Sequence, residues 1–388
     1  MKKSLIAFAL TGAAATPAFA QSSVTLYGLI DTGLTYVNNN TNSSGRGVGA
    51  VWAMQSGVVQ GSRWGLKGSE DLGGGTKVIF QLENGFDVNS GKLGQAGREF
   101  GRQAYIGLAN DTYGTLTLGR QYDPVADNAQ ATTFNGQWGA LFSHPSDIDN
   151  TDNGFRVNNS LKYVSPSFNG LRAEGFYAFG GQAGQFGRDS TIGAGLNYAA
   201  GPLYLGAGYF FAKTPREQFS DGNFTTNAPG TPPGVSTTGA FGFVGTPSSM
   251  QVISAGGTYS FGPVLVGANW SNARFENAGA GTIESVAGNT ATFDTAELWG
   301  QYKLTPAATL GLGYSFTWGK VDATDKQPKW GQLNAIADYS LSKRTDVYVM
   351  GVYQHAIHTN ADIYDGNPGT QSSTRNQVLA RIGIRHKF

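Results

Sequence analysis

From Val24 to Phe388 the chain repeats segments of about ten residues in which polar and apolar side chains alternate. Within 76–82, Val78, Phe80 and Leu82 share one side, and Lys77, Ile79 and Gln81 the other. One segment earlier, Trp64 and Leu66 alternate with Arg63 and Lys67. Successive side chains of a strand point to opposite faces of the pleat, so a period of two marks a strand lying between two different environments. In the last segment Val378, Ala380, Ile382, Ile384 and Phe388 oppose Gln377, Arg381, Arg385 and Lys387, with His386 the lone polar member of the apolar set. The pattern predicts sixteen strands. They fall near 23–37, 56–69, 75–88, 98–109, 114–122, 155–166, 170–180, 189–199, 202–213, 250–260, 263–275, 291–304, 308–320, 328–340, 344–356 and 374–388.

The connections alternate in length. Tight links at 71–74, 110–113, 166–170, 199–202, 261–263, 304–308 and 341–343 mostly use Gly, Pro, Asn and Asp, as hairpin turns require. The intervening links are mostly long and polar: 38–55, 123–154, 214–249, 277–290 and 357–373. Short turns on one side and long loops on the other are the pattern of an antiparallel transmembrane barrel, with turns facing the periplasm and loops outside the cell. The Gly/Pro/Thr-rich stretch 227–245 reads as part of a surface loop, because the strand pattern resumes unchanged after it.

Composition fits that reading. Charged residues make up 14% of the chain, against a usual share of roughly 25%, while 57 Gly, 23 Phe, 17 Tyr and 7 Trp supply small residues for crowded strands and aromatics for the lipid interfaces. Lys2 and Lys3, an apolar run from Leu5 to Ala15, and Ala18-Phe19-Ala20 form a signal peptide with an A-x-A cleavage site, so residues 1–20 are set apart from a barrel domain at 21–388. No later stretch has the roughly 18 consecutive apolar residues of a spanning helix. In a membrane, only a closed barrel then satisfies the backbone polar groups. The chain has no cysteine, which excludes thiolate metal sites and disulfides. The near balance of 27 basic and 26 acidic residues gives no case for nucleic acid as a partner.

Strand number bears on function. Eight strands are filled by their own side chains, whereas sixteen to eighteen leave an aqueous channel. Lumen-phase residues include Arg63, Lys67, Lys77, Gln81, Glu83, Arg156, Asn158 and Lys162, which a dry interior does not hold cheaply. The long loop at 123–154 mixes Phe134, Trp138, Leu141 and Phe142 with flanking carboxylates. Its aromatics are costly on an exposed loop and can anchor it against the inner wall, which makes it the expected constriction.

Five segments, SVTLYG (Ser23 to Gly28), SRWGLKGSEDLG (Ser62 to Gly73), RQAYIGL (Arg102 to Leu108), LGRQ (Leu118 to Gln121) and RVNNS (Arg156 to Ser160), resemble the Gram-negative general porins, most closely the trimeric type of the betaproteobacteria and neisseriae. The terminal GIRHKF (Gly383 to Phe388) is similar to that family's assembly signal. The resemblance covers essentially the whole mature chain. It implies an outer-membrane homotrimer in contact with lipid, including lipopolysaccharide, that passes small ions and hydrophilic solutes without a cofactor. It also implies that Arg63, Arg102 and Arg156 form a wall cluster facing an inward-folded third loop. Arg120 shares a face with Leu116 and Leu118 and reads as a rim residue. Enterobacterial relatives carry a glutamate in this loop; here the matching stretch is Gly136-Gln137-Trp138-Gly139-Ala140, without charge. Lys67, Lys77, Asp123, Asp127 and Gln137 complete the expected constriction set. Cationic groups facing an uncharged loop favour anions, so mild anion selectivity is expected, weakened if Asp123 or Asp127 reaches the narrow region.

Other motifs carry little. His355 and His358 sit where a strand runs into a loop, not on a helix face, and His144 with Asp147 and Asp149 reads as solvated loop polarity. The glycine runs at 193–195 and 311–313 lack the Lys-Ser or Lys-Thr of a phosphate loop and read as small residues on crowded strands. The competing functions are a substrate-specific channel for a sugar or an anionic nutrient, disfavoured because the phasing puts most aromatics on the lipid face, and an outer-membrane enzyme, for which the sequence selects no catalytic residues.

Overall fold

The computed structural model describes residues 23–41, 48–219, 239–279, 286–364 and 371–388. The expected signal peptide (1–20) and the 227–238 part of the Gly/Pro/Thr-rich stretch lie outside them. Seventeen strand segments follow in order: β1 (Ser23–Thr41), β2 (Val48–Ser56), β3 (Arg63–Gly73), β4 (Thr76–Gly85), β5 (Gln103–Asn110), β6 (Gly114–Gln121), β7 (Val157–Val164), β8 (Leu171–Ala178) and β9 (Thr191–Ala200). Then come β10 (Leu203–Lys213), β11 (Ser249–Phe261), β12 (Val264–Glu276), β13 (Thr290–Lys303), β14 (Ala308–Val321), β15 (Lys329–Ser340), β16 (Thr345–Ile357) and β17 (Asn376–Lys387).

From β3 onward each strand pairs antiparallel with the next, and β17 returns to β1, with Leu29 opposite Lys387 and Val37 opposite Leu379. Phe388 completes the seam, its N–H and C=O exchanging bonds with Gly28 at 3.0 and 3.1 Å. On its other edge β1 pairs first with β3 (Ser23 to Leu29) and then with β2 (Thr32 to Thr41). β2 and β3 are therefore one barrel strand interrupted at 57–62, and the barrel has sixteen strands. The expected second strand, near 56–69, starts at the last residue of β2 and so takes in the interruption and most of β3. Its first half lay hidden in the supposed loop at 38–55, because Val51, Trp52, Ala53 and Met54 are all apolar and show no alternation.

The barrel is inverted relative to a soluble protein. Leu298 is 70% exposed on the outer face and Ile382 59%, while Gln332, Gln354 and Thr317 are fully buried inside. Along β17 exposure alternates strictly from Asn376 to His386; Gln377, Arg381 and Arg385 are buried on the lumen side as the pattern predicts, whereas Lys387, assigned to the same face, is exposed. Two readings change. Phe210, Phe275, Phe293 and Trp330 point inward, not to lipid, and pack with Phe155, Phe241 and Phe243 of loops that fold into the barrel. Arg120 is buried: an irregularity in the β6–β7 register between Gly119 and Gln121 lets its Nε donate to the Gly101 carbonyl (2.8 Å) and Nη1 to Asn158 Oδ1 (2.6 Å).

The constriction, a candidate selectivity site

The link from β6 to β7 enters the barrel and is seated at several places. Asp123, fully buried, caps the helical turn Pro124–Asn128, its Oδ1 accepting from the N–H groups of Val125 (2.8 Å) and Ala126 (3.3 Å). A side-chain oxygen here satisfies amides that the first turn leaves without partners. Its Oδ2 accepts from Asn150 Nδ2 at 2.6 Å, tying the two limbs of the loop together. Burial pushes the Asp123 carboxyl up to about 6. The helical turn rests on a floor of glycines in β9 and β10: a Cβ at Gly195 or Gly206 would stand 2.1 or 1.9 Å from atoms of Asn128. A second turn, Phe134–Trp138, drops its Phe134 ring into the hollow over Gly311 and Gly313, where a Cβ would meet it at 3.0 and 2.8 Å. Both glycine runs are therefore seats for the constriction loop.

Hydrogen bonds fix the rest. Trp299 Nε1 donates to the Thr132 carbonyl and Trp138 Nε1 to Gln301 Oε1, each at 2.8 Å. Phe134 stacks on Phe142 with centroids 4.8 Å apart, and Leu141 and Phe142 are fully buried. Burying each of these large side chains is worth about 1.5–3 kcal/mol, so the loop is held to the wall. At its tip, Ala140 N–H donates to the Val58 carbonyl (2.9 Å), within the interruption of the second strand. Asp31 holds that interruption inward: its Oδ2 accepts from Val59 N (2.7 Å) and Gln60 N (2.9 Å), while Tyr348 Oη donates to Oδ1 at 2.5 Å.

Between loop and wall lies a cavity of about 370 Å³. Arg63, Arg102, Arg156 and Tyr122 line it from the wall, Gln130, Asn135, Gly136 and Asp152 from the loop. Arg102 Nε donates to Glu83 Oε1 (2.7 Å) and its Nη2 to Tyr122 Oη (2.9 Å). Arg63 Nη1 lies 3.8 Å from the same Glu83 oxygen. The Arg156 guanidinium stands over the Tyr122 ring, 5.3 Å from its centroid. Tyr122 is thus wedged between two guanidiniums and spaces them. Three cations meet two carboxylates, Glu83 and Asp152, leaving one net positive charge.

The structure brings Arg63, Arg102 and Arg156 together and leaves the other expected residues off the cavity. Asp123 is consumed by its cap, and Asp127 pairs with Lys162, which also lies 3.9 Å from Glu174. Gln137 turns back to donate to the Ala131 carbonyl at 2.8 Å. Lys67 and Lys77 are exposed on β3 and β4, with Lys67 Nζ 5.3 Å from the Tyr27 ring centroid. Tyr122, Glu83 as the charge partner, and Asp152 as the loop carboxylate were not singled out. Glu83 is signalled in the sequence by its lumen phase and Asp152 only as one of the carboxylates flanking the uncharged stretch of the loop; nothing signals Tyr122. His355 and His358 bond to different partners, Asn376 Oδ1 (2.7 Å) and the Gln327 carbonyl (3.1 Å). His144, expected in solvent, is fully buried.

Comparison with known proteins agrees with this architecture. A family model described as Gram-negative porin matches residues 5–357. The chain is 36% identical over 235 residues to an outer membrane porin protein of Bordetella pertussis, covering 54% of this chain and 59% of that one. It is likewise 36% identical over 225 residues to outer membrane porin protein 32 of Delftia acidovorans, covering 55% and 61%. These alignments span about three fifths of those curated relatives. The major outer membrane protein P.IB of Neisseria gonorrhoeae is 27% identical over 394 residues, the whole of both chains. Among solved structures, an anion-selective porin from Comamonas acidovorans superposes with a TM-score of 0.73 at 23% identity, covering 95% of this chain and all of that one. A closed sixteen-stranded barrel, polar inside and apolar outside, and a family match over most of its length lead to one conclusion: the chain belongs to the Gram-negative porins.

Proposed function

We propose that the protein, made with a cleaved leader at residues 1–20, forms a water-filled pore across the outer membrane through which ions and small hydrophilic solutes diffuse, with a mild preference for anions. The observation that carries this is the cluster of Arg63, Arg102 and Arg156 facing Gln130, Asn135 and Gly136 across the cavity. Cationic side chains at a narrow point lower the energy of a passing anion and raise that of a cation. Glu83 and Asp152 leave the excess small, which is why the preference is mild. The working unit is a homotrimer embedded in lipid and lipopolysaccharide; an outward apolar face suits both subunit and lipid contact, and the solved relatives include a trimer form of OmpT from Vibrio cholerae.

Planar-bilayer recording tests the reading. The expected result is stepwise conductance that is ohmic and rises without saturation as KCl is raised. Block of that current by micromolar sugar or carboxylate would favour a dedicated channel, and silence would remove the pore altogether.

A further inference from the structure

A second group of ionisable side chains lies away from the arginine cavity, where the returning limb of the constriction loop meets the wall. His144 Nδ1 is 2.6 Å from Asp149 Oδ2 of its own loop, and its Nε2 is 3.7 Å from Glu297 Oε2 of β13. That Glu297 oxygen also accepts from the N–H of Phe134 at 3.1 Å, so one wall carboxylate holds both the outgoing and the returning limb. Asp149 accepts from Thr151 N (3.3 Å) and Oγ1 (3.0 Å) and from the Ser271 hydroxyl of β12. The charged groups facing the ring are Asp149 and Glu297; β12 adds the uncharged Ser271, and β15 adds Gln332, whose Nε2 is 3.3 Å from the neighbouring Ser143 carbonyl. All three ionisable side chains are at most 2% exposed. A neutral imidazole would leave the two buried carboxylates, one at each ring nitrogen, without a cation among the described residues that pairs with them, which is costly; an imidazolium lies between them.

We propose that His144 is a positioning residue for the constriction: as a cation it pins the loop to Glu297 and so fixes the gap between residues 130–136 and the three arginines. The inference rests on the channel reading above. Burial disfavours the charged ring, yet Asp149 and Glu297 together hold it protonated well above the usual histidine range. Burial likewise opposes ionised Asp149, yet the ring and its other donors bring that carboxyl down to about 2. The signs follow from linkage. A raised histidine stabilises the docked loop in full below its ordinary value of about 6.5 and loses that contribution as pH rises through the raised value. A depressed Asp149 contributes in full above its ordinary value of about 3.9 and loses it as pH falls through about 2. The pin therefore holds through neutral pH and fails in alkali.

The test uses the full-length protein, wild type beside His144→Gln and the double variant His144→Gln/Glu297→Gln, with two readouts. Open-channel current noise in bilayers should be low for the wild type at pH 6 and rise reversibly in alkali. In His144→Gln it should already be high at pH 6 and independent of pH. Amide exchange of residues 131–143 at fixed neutral pH should accelerate in His144→Gln on the order of a hundredfold, as loss of one partner from a buried ion pair implies. Wild-type noise that stays flat to about pH 10, where lysines begin to titrate, overturns the proposal. So does a His144→Gln protein with wild-type noise and exchange. If the single variant does not assemble, the double variant, freed of the uncompensated Glu297 charge, is read the same way. A wild type that never conducts defeats the channel reading, while the exchange measurement still decides the role of His144.

Discussion

At the residue scale, selectivity is a matter of which arginines are free to act on a passing ion. Arg102 is committed to Glu83 at 2.7 Å, and removing it would leave that buried carboxylate with only the more distant Arg63 at 3.8 Å, so its loss perturbs more than the ion path. Arg156 is the cleaner probe, because it stands on the Tyr122 ring and no acid pairs with it among the described residues. A unit charge about 5 Å from a passing ion shifts an anion and a cation in opposite directions by about 0.8 kcal/mol each in water; screening roughly halves both shifts, so their ratio of permeabilities changes roughly fourfold. Arg156→Gln should therefore lower the chloride-over-potassium ratio about two- to fourfold, and Asp152→Asn should raise it by a similar factor, both read from reversal potentials in a KCl gradient. The arginines were legible in the sequence because lumen phase and family motif agreed on Arg63 and Arg156. Arg102 rested on the motif alone. Asp123 and Asp127 were not legible in the same way, since a cap to Val125 and Ala126 and an ion pair with Lys162 are contacts that exist only once the loop has folded.

At the scale of elements, the period-two pattern located nearly every strand, because lipid on one side and water or polar loop on the other impose it. It failed where both faces are apolar. The 51–54 run reads as loop for that reason, and the inward aromatics of β10, β12, β13 and β15 read as lipid-facing because their partners come from loops far away in sequence. The second strand's interruption has a purpose that the sequence did not announce: it receives the tip of the constriction loop. Gly139 sits there with φ +97°, and a Cβ on it would stand 2.2 and 2.4 Å from the carbonyls of Val58 and Val59. Gly139→Ala should push the loop off this segment, widen the cavity and raise single-channel conductance, with about 1–3 kcal/mol of local strain. Gly175→Ala in β8 has open space around its Cβ and an ordinary backbone, and should leave conductance unchanged.

At the scale of the whole molecule, one seam closes the barrel. Gly28 lies under the Phe388 ring, with 2.4 Å from a would-be Cβ to Phe388 Cζ and 2.7 Å to the Arg63 carbonyl. Gly28→Val should thus impair closure and lower the yield of heat-resistant folded barrel in refolding assays. Closure removes both sheet edges, and the wide cylinder that results is filled by its loops on one side, leaving the arginine-lined cavity on the other. The sequence could predict the cylinder from strand number, but not this lopsided filling, which depends on how Phe155, Phe241 and Trp330 meet in space. The most direct measurement of the account is the zero-current potential of the wild-type channel across a tenfold KCl gradient. A potential of the sign for chloride preference, well short of the ideal chloride value, is predicted. Cation preference in an open, conducting channel would contradict it.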